Sequence, residues 1–438
     1  MSELTFSAPV AAQTKLSVRG KKAIIAGSIG NTVEWVDWSV YTTFSSIFAH
    51  HFFPAGNPVA ALLGTLAIFA VGFIMRPVGA AVLGAYADRH GRKKGLVLTI
   101  GMMAGASLII GLIPTFSVIG VFAPLLLLIA RMAQGFSAGG EFGSSSAFLI
   151  ESAAPRRRAF AGSWQQVSVG AGILIASGLG AIITSTLPKE AIDSWGWRLA
   201  FIVCALLGVV GLWLRSSVEE TESFTNAKAR TEASTAPRRG TVFTMFVHHP
   251  KATLRVFGVT IAGTLLYYMW ASYMPTYAKV ATGIPLSQAL TANFIAILVF
   301  LVLLPFAGLL SDKIGRKPTM SAFAGGFLIF AWPAFHFLNG SFVSLLIIEI
   351  IGIVLLLGYS ANCAVIMAEQ FPAEIRATGI GLPYALAVAI FGGTAPYITT
   401  WLNSSGLGGW VWLYCAIAAA IGVVVYLTMP ETKGKTLD

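Results

Sequence analysis

One charged loop occurs twice in this chain. Gly84-Ala-Tyr-Ala-Asp88-Arg89-His90-Gly91-Arg92-Lys93 returns as Gly308-Leu-Leu-Ser-Asp312-Lys313-Ile314-Gly315-Arg316-Lys317. Two more pairs follow in the same order. Glu151-Ser-Ala-Ala-Pro155-Arg-Arg-Arg158 corresponds to Glu369-Gln-Phe-Pro372-Ala-Glu-Ile-Arg376, and Val218-Glu219-Glu220-Thr221 to Met429-Pro430-Glu431-Thr432. Three motif pairs in one order describe a duplicated unit. Each copy lies between long apolar stretches, so the fold must repeat internally and place those stretches away from water.

Composition decides where they go. Hydrophobic residues make up 56% of the chain and charged residues 11%, against roughly 25% charged in a soluble domain. This predicts an all-α integral membrane protein. Twelve helices of ~20 residues or more, enough to cross ~30 Å of hydrocarbon, are expected near 22–49, 58–86, 95–114, 118–150, 159–187, 197–215, 252–279, 287–311, 318–338, 341–370, 375–402 and 408–429. They are called spans 1 to 12. The division predicted is a tail (1–21), a six-helix bundle (22–215), a polar linker (216–250), a second, pseudo-symmetric six-helix bundle (251–429) and a short tail (430–438). A duplicated half built from hydrophobic segments is how many secondary transporters are constructed.

The net charge of +11 follows from topology. All but five of the 29 Lys and Arg residues lie in the N-terminal segment, the even-numbered loops or the C-terminal segment. The exceptions are Lys189, Arg198 and Lys279 on the other face and Arg76 and Arg131 inside spans. By the positive-inside rule both termini are predicted to be cytoplasmic. Orientation signals account for the basic excess, so no nucleic-acid partner is implied. Span 1 is expected to be retained rather than cleaved as a signal. Cys204, Cys363 and Cys415 lie within spans without metal-like spacing. The pairs His50-His51 and His248-His249 have no convergent ligand in the sequence, so no metal or cofactor is predicted.

A charge at bilayer depth costs about 2.5 kcal/mol or more, so each one requires a reason. On span 1, Asn31, Glu34, Asp37 and Tyr41 share one helix face. Counting residues puts Glu34 and Asp37 at about the depth of Arg131 on span 4. One of these acids can therefore pair with Arg131 across a central cavity. A carboxylate beside a guanidinium can exchange a proton, and its protonation frees the guanidinium for bidentate capture of a substrate carboxylate. The plain alternative is a fixed ion pair that orders the helices. Arg76, just before Pro77, is a further candidate for substrate contact, and Glu141 for pairing with a basic loop. Glu349 reads as snorkelling near the outer end of span 10. Tyr267, Tyr268, Trp270, Tyr273 and Tyr277 surround Pro275 in span 7, offering hydroxyls to a ligand. Tyr384, Asn362 and Phe391 are weaker cavity candidates.

The motifs resemble those of the metabolite:proton symporters of the major facilitator superfamily. The repeated loops look like the superfamily signature, and Arg131-x-x-Gln134-Gly135-x-x-x-Gly139-Gly140-Glu141 looks like its fourth-span motif. Gly30-Asn31-x-x-Glu34-Trp35-x-Asp37, Phe73-x-x-Arg76-Pro77-x-Gly79, Trp195-Gly196-Trp197-Arg198 and Ala389-Ile390-Phe391-Gly392-Gly393 narrow it to that family. Matches run from about residue 28 to 434. Within the family the chain is most similar to ketoglutarate permease-like members, whereas Ser272-Tyr273-Met274-Pro275 looks more like the proline/betaine branch, and Val36 and Trp38 depart from the aromatics expected around Asp37.

The resemblance implies two six-helix bundles, a substrate site between them and alternating access driven by a proton gradient. It also implies a cytoplasmic gate. Asp88 would face the N-terminus of span 11 and Asp312 that of span 5, with Arg92 and Arg316 binding Glu151 and Glu369. The expected function is import of a small organic carboxylate with protons by a functional monomer in a bacterial inner membrane. Proton coupling is assigned to Glu34, Asp37 and Arg131. Substrate binding is assigned to Asn31, Tyr41, Arg76, Arg131, Tyr268, Tyr273 and Tyr384. A proline/betaine-type importer is the alternative, and a non-transporting nutrient sensor is the alternative of another class. No catalytic cluster and no phosphate-binding loop is present, so neither an enzyme nor an ATP-driven pump is expected.

Overall fold

A computed structural model describes residues 18–54, 56–90, 92–151, 153–216, 241–372 and 375–435. Within those ranges the side chains of 18–28, 84–85, 87–93, 96, 140–141, 144, 148, 214–216 and 241–244 are not described. The side chains of Asp88, Arg92 and Glu141 therefore lie outside the described set.

The described residues form twelve spans and no strand. Span 1 is one helix, Val18–Phe52, whose 35 residues exceed what the hydrocarbon requires. Spans 2 and 3 are Pro58–His90 and Arg92–Leu112. Span 4 runs through Phe122–Ser137, a 3-10 turn at Ala138–Gly140, and Glu141–Glu151. Spans 5 and 6 are built on Arg158–Thr186 and Trp197–Ser216. A short helix, Thr241–His248, closes the segment read as a linker. Span 7 comprises Pro250–Tyr267, a π-helical stretch Tyr268–Tyr273 and Met274–Thr282. Leu286–Ile314, Arg316–His336 and Phe342–Ser360 are the main helices of spans 8 to 10, the last continued by Cys363–Ala368. Span 11 begins at Arg376–Ala387, passes through a π-helical stretch Val388–Gly392 and continues as Ala395–Leu402. Span 12 is Val411–Thr428.

Glycine spacing sets the distance between spans 2 and 4. A Cβ on Gly135 would stand 1.8 Å from the Gly72 carbonyl oxygen, one on Gly79 1.8 Å from that of Phe136, and one on Gly139 2.0 Å from that of Arg76. No side chain fits at these crossings, so the backbones touch, as small residues permit between membrane helices. That contact fixes Arg76 and Arg131 relative to each other. Proline acts differently in span 7. Pro275 has no N–H, which releases the Ala271 carbonyl from the helix ladder, and Asn293 Nδ2 of span 8 donates to it at 3.4 Å.

The two halves meet along spans 5 and 8, and the contact is closed at both ends. At the end bearing the charged loops, called here the basic face, Asp312 reaches the start of span 5 and Gln166 Nε2 donates to Cys363 Sγ at 3.2 Å. Toward the opposite face, Thr42 and Ser272 hydroxyls lie 2.9 Å apart, Thr276 donates to the Thr42 carbonyl at 3.3 Å and Ser177 donates to Asn293 Oδ1 at 2.5 Å. This is an occluded arrangement. One sequence expectation is corrected here: Glu349 does not snorkel, being 0% exposed inside the second half.

Candidate functional site

Asp37 and Arg131 come together, and span 3 completes their surroundings. Arg131 Nη1 lies 3.9 Å from Asp37 Oδ2, and both side chains are almost fully buried. Ser107 donates to the other carboxylate oxygen, Asp37 Oδ1. Gln134 Nε2 donates to Ser107 Oγ at 3.0 Å, while Gln134 Oε1 accepts from Arg131 Nη1 at 2.6 Å. A closed ring of four side chains results. Asp37 Oδ2 has no hydrogen bond of its own, and neither do Arg131 Nε and Nη2. The acid thus has one oxygen held and one available to a proton.

Glu34 lies elsewhere. It lines a small cavity between the halves with Asn31, Trp35, Arg76, Ala138, Phe142 and Tyr384. The space holds about one water. Spans 1, 2 and 4 supply one wall and span 11 the other, with Tyr384 stacked on Phe142 at 3.9 Å between ring centroids. Asn31 is fixed by donating to Ser168 Oγ at 2.6 Å. Arg76 is 6% exposed, and its Nε and Nη2 have no hydrogen-bond partner. Its guanidinium instead lies over aromatic faces, 4.1 Å from the Trp38 ring centre and 4.4 Å from that of Phe73.

Trp38 joins the two centres, because the Arg131 guanidinium also lies 4.1 Å from its ring. Two buried cations therefore stand no more than 8.2 Å apart, twice 4.1 Å. One faces an acid and the other faces the cavity.

The remaining predicted ligands divide between cavity and core. Tyr41 donates to the Thr65 carbonyl at 2.9 Å and lies beneath Arg131, so it packs inside the first half rather than lining the cavity. Tyr273 bonds to Thr400, and Trp270 donates to the Ile348 carbonyl at 3.4 Å, both within the second half. Tyr268 is the span 7 aromatic that approaches the site, 5.1 Å from Phe73 and 6.1 Å from Trp35 between ring centroids. Asn362 is turned toward Ser311 and Thr319, away from the cavity. Gly393 allows Phe73 to pack closely, since a Cβ there would stand 2.8 Å from its ring.

At the basic face Asp312 accepts the Ala159 and Phe160 N–H groups at 3.0 and 2.9 Å, an anion at the start of span 5. Arg316 pairs with Asp312 at 2.8 Å and faces Glu369 at 3.7 Å, and Arg158 of the first half faces Glu369 at 3.9 Å. Glu151 meets Arg376 at 2.6 Å, across the halves. Glu431 accepts the Arg316 and Lys317 N–H groups, each at 3.0 Å, at the start of span 9. Burial pushes the Glu431 carboxyl up, but bonds from the backbone N–H groups of Arg316, Lys317, Lys433 and Thr432 outweigh it and hold the group below the ordinary glutamate value.

On the opposite face Asp193 converges on the His50-His51 pair, for which the sequence offered no third group. His50 Nε2 stands 3.0 Å from Asp193 Oδ1 and His51 Nε2 2.6 Å from the Asp193 carbonyl. Sequence reasoning also gave no role to Trp38, Ser107, Gln134 or Phe142. Gln134 carried a signal, lying three residues after Arg131 on one helix face. Ser107 carried none.

The sequence pattern of the Major Facilitator Superfamily matches residues 27–382 and 281–438. The chain is 37% identical to the alpha-ketoglutarate permease of Escherichia coli K12, covering 99% of both chains. It is 36% identical to a citrate-proton symporter of Klebsiella pneumoniae, over 86% of this chain and 84% of that one. It is 34% identical to the glycine betaine/proline/ectoine/pipecolic acid transporter OusA of Dickeya dadantii, over 96% and 85%. Among solved structures, the proton:xylose symporter XylE bound to 6-bromo-6-deoxy-D-glucose superposes with a TM-score of 0.72 at 19% identity, over 95% of this chain and 97% of that one, which speaks for the fold. The chain belongs to the Major Facilitator Superfamily.

Proposed function

We propose that this protein is a proton-coupled symporter that imports a small organic carboxylate, such as ketoglutarate, by alternating access. Family membership makes it a transporter rather than an enzyme. The observation that carries the substrate class is Arg76, a buried guanidinium with two unbonded donor nitrogens on the wall of the central cavity. Such a group is built for a carboxylate. The relatives named for ketoglutarate and citrate support the same class.

Coupling follows from the second cation. While Asp37 is ionised it offsets Arg131. When Asp37 takes a proton, the charge on Arg131 acts on the Arg76 guanidinium from no more than 8.2 Å away. At an effective dielectric of ~20 this is worth about 2 kcal/mol, or about thirtyfold, to an anion held at Arg76. By linkage the bound anion favours retention of the proton to the same extent. Proton and carboxylate therefore load together and leave together. Glu34, on the cavity wall beside Arg76, sets the charge that an incoming anion must displace or share.

The gate reading rests on contacts that cross the halves at the basic face: Asp312 on the start of span 5, Arg158 facing Glu369, and Glu151 on Arg376. These hold that side shut here and must break for release inward. With the basic face cytoplasmic, as the distribution of Lys and Arg supports, both termini face the cytoplasm of a bacterial inner membrane.

A zwitterion such as betaine is the second reading, since an aromatic-walled site can hold a quaternary ammonium. Here the faces of Trp38 and Phe73 are already covered by guanidinium groups, which favours the anion. The test is uptake of labelled ketoglutarate, citrate, proline and glycine betaine into proteoliposomes under an inward pH gradient, with and without a protonophore. Gradient-dependent accumulation of a carboxylate supports the proposal. Accumulation of proline or betaine alone moves the protein to the other branch, and binding without flux makes it a sensor.

A further inference from the structure

Glu349 has no part in the mechanism above, yet it is buried with no charged group beside it among the described residues. It lies seven residues into Phe342–Ser360, about 10 Å from the helix end at the opposite face. It is 0% exposed, and neither carboxylate oxygen has a hydrogen-bond partner. From span 8 the Asn293 amide faces it. From span 7 Trp270 turns its indole N–H to the Ile348 carbonyl, and from span 9 Phe327 packs against Trp270. The cations of these elements toward the same face are engaged elsewhere. Lys279 Nζ donates to Ser46 Oγ at 3.3 Å, and His336 stacks on Trp332. Lys313, Arg316 and Lys317 lie at the basic face. An ionised carboxylate buried without a counter-charge costs several kcal/mol, and a proton removes that cost.

Asn293 ties this acid to the contact between the halves. Its Nδ2 donates to the Ala271 carbonyl that Pro275 releases, and its Oδ1 accepts from Ser177 of span 5 at 2.5 Å. Asn293 and Ser177 are 1% and 2% exposed. Opening the opposite face parts spans 5 and 8 at this level. It breaks the Ser177 bond to the Asn293 amide oxygen and admits water, whose O–H groups can solvate an ionised Glu349.

We propose that Glu349 is a proton-binding site that must be loaded before the opposite face can close. On closing, the carboxylate takes one proton from that solution and becomes a carboxylic acid. On reopening it returns the proton to the same side. Low pH outside thus favours the closed carrier. The proposal rests on the carrier reading above but concerns a different acid from Asp37.

The experiment places spin labels at Thr186 and Gln288, the facing ends of spans 5 and 8, in the full-length protein in lipid, without substrate, and reads their distance against pH. The open population is expected to grow as pH rises and to vanish at every pH in Glu349→Gln. A pH response in Glu349→Gln equal to that of the wild type overturns the proposal. Should Glu349→Gln not fold, Ser177→Ala decides. Loss of one hydrogen bond from the closed form is expected to move the closing midpoint down by about 0.4–1 pH unit, and an unmoved midpoint overturns the linkage. No proton-driven uptake by the wild type would sink the carrier reading instead, and the distance measurement stands apart from it.

Discussion

Replacing Asp37 by Asn removes one charge while keeping the shape of the side chain and its bond from Ser107. At 3.9 Å and an effective dielectric of ~20, the lost attraction is about 4 kcal/mol. Arg131 stays fully buried with Nε and Nη2 already unbonded, and its remaining contacts, the Gln134 amide oxygen and the rings of Trp38 and Tyr41, carry no formal charge. The expected destabilisation is about 3–5 kcal/mol, the range for breaking one partner of a buried pair. Unfolding in mixed micelles measures it. Arg131→Gln on the Asp37→Asn background removes the stranded charge and is expected to recover most of the loss, with a coupling energy of several kcal/mol. The difference between wild type and Asp37→Asn should shrink as pH falls, because a protonated Asp37 resembles Asn. An Asp37→Asn protein within about 1 kcal/mol of wild type at high pH, with little coupling to Arg131, would refute the reasoning.

Arg76→Gln removes a charged donor pair from the cavity wall and is expected to weaken ketoglutarate binding about ten- to hundredfold with the fold intact, as measured by equilibrium binding. Gly135→Val should abolish folded yield in size-exclusion profiles, since a Cβ 1.8 Å from the Gly72 oxygen has to move by more than 1 Å to reach 3.0 Å; Gly105→Val, with nothing within 4 Å, should not. Glu431 is held below its ordinary value, so the stability it adds is present above that value and is lost as pH falls through its folded value. The protection of the Arg316 and Lys317 amides relative to their intrinsic exchange rates should therefore fall on acidification from neutral pH, and Glu431→Gln should abolish the step. Glu151→Gln should cost under about 1 kcal/mol, because Glu151 is 45% exposed and Arg376 keeps its bonds to the Ala368 and Phe371 carbonyls.

Spans were legible because a bilayer imposes a length and an apolarity that composition reveals directly. Span 2 was read as 58–86 and is found at Pro58–His90, and span 11 as 375–402 with helices from Arg376 to Leu402. Helix periodicity placed Glu34 and Asp37 on one face, and counting residues brought Arg131 to their depth, but which acid meets Arg131 depends on how span 4 is rotated, and it is Asp37. The glycines that fix that crossing were visible without their geometry. Ser107 and Trp38 were hidden for a related reason: a serine or a tryptophan in an apolar span reads as packing until a neighbouring helix brings a charge to it. The span 7 aromatics misled in the opposite way, because Tyr273 bonds to Thr400 and Tyr277 packs on Phe335 inside their own half, while Tyr268 approaches the site. Glu349 was misread because distance from a helix end says nothing about which side of the helix meets lipid.

Coupling through Asp37, Arg131 and Arg76 requires that proton and carboxylate move together. The direct measurement is external pH on adding ketoglutarate to weakly buffered proteoliposomes that carry no initial pH gradient. Alkalinisation is expected to follow uptake in the wild type and to be lost in Asp37→Asn while ketoglutarate exchange persists. Uptake by the wild type without any change in pH would contradict it.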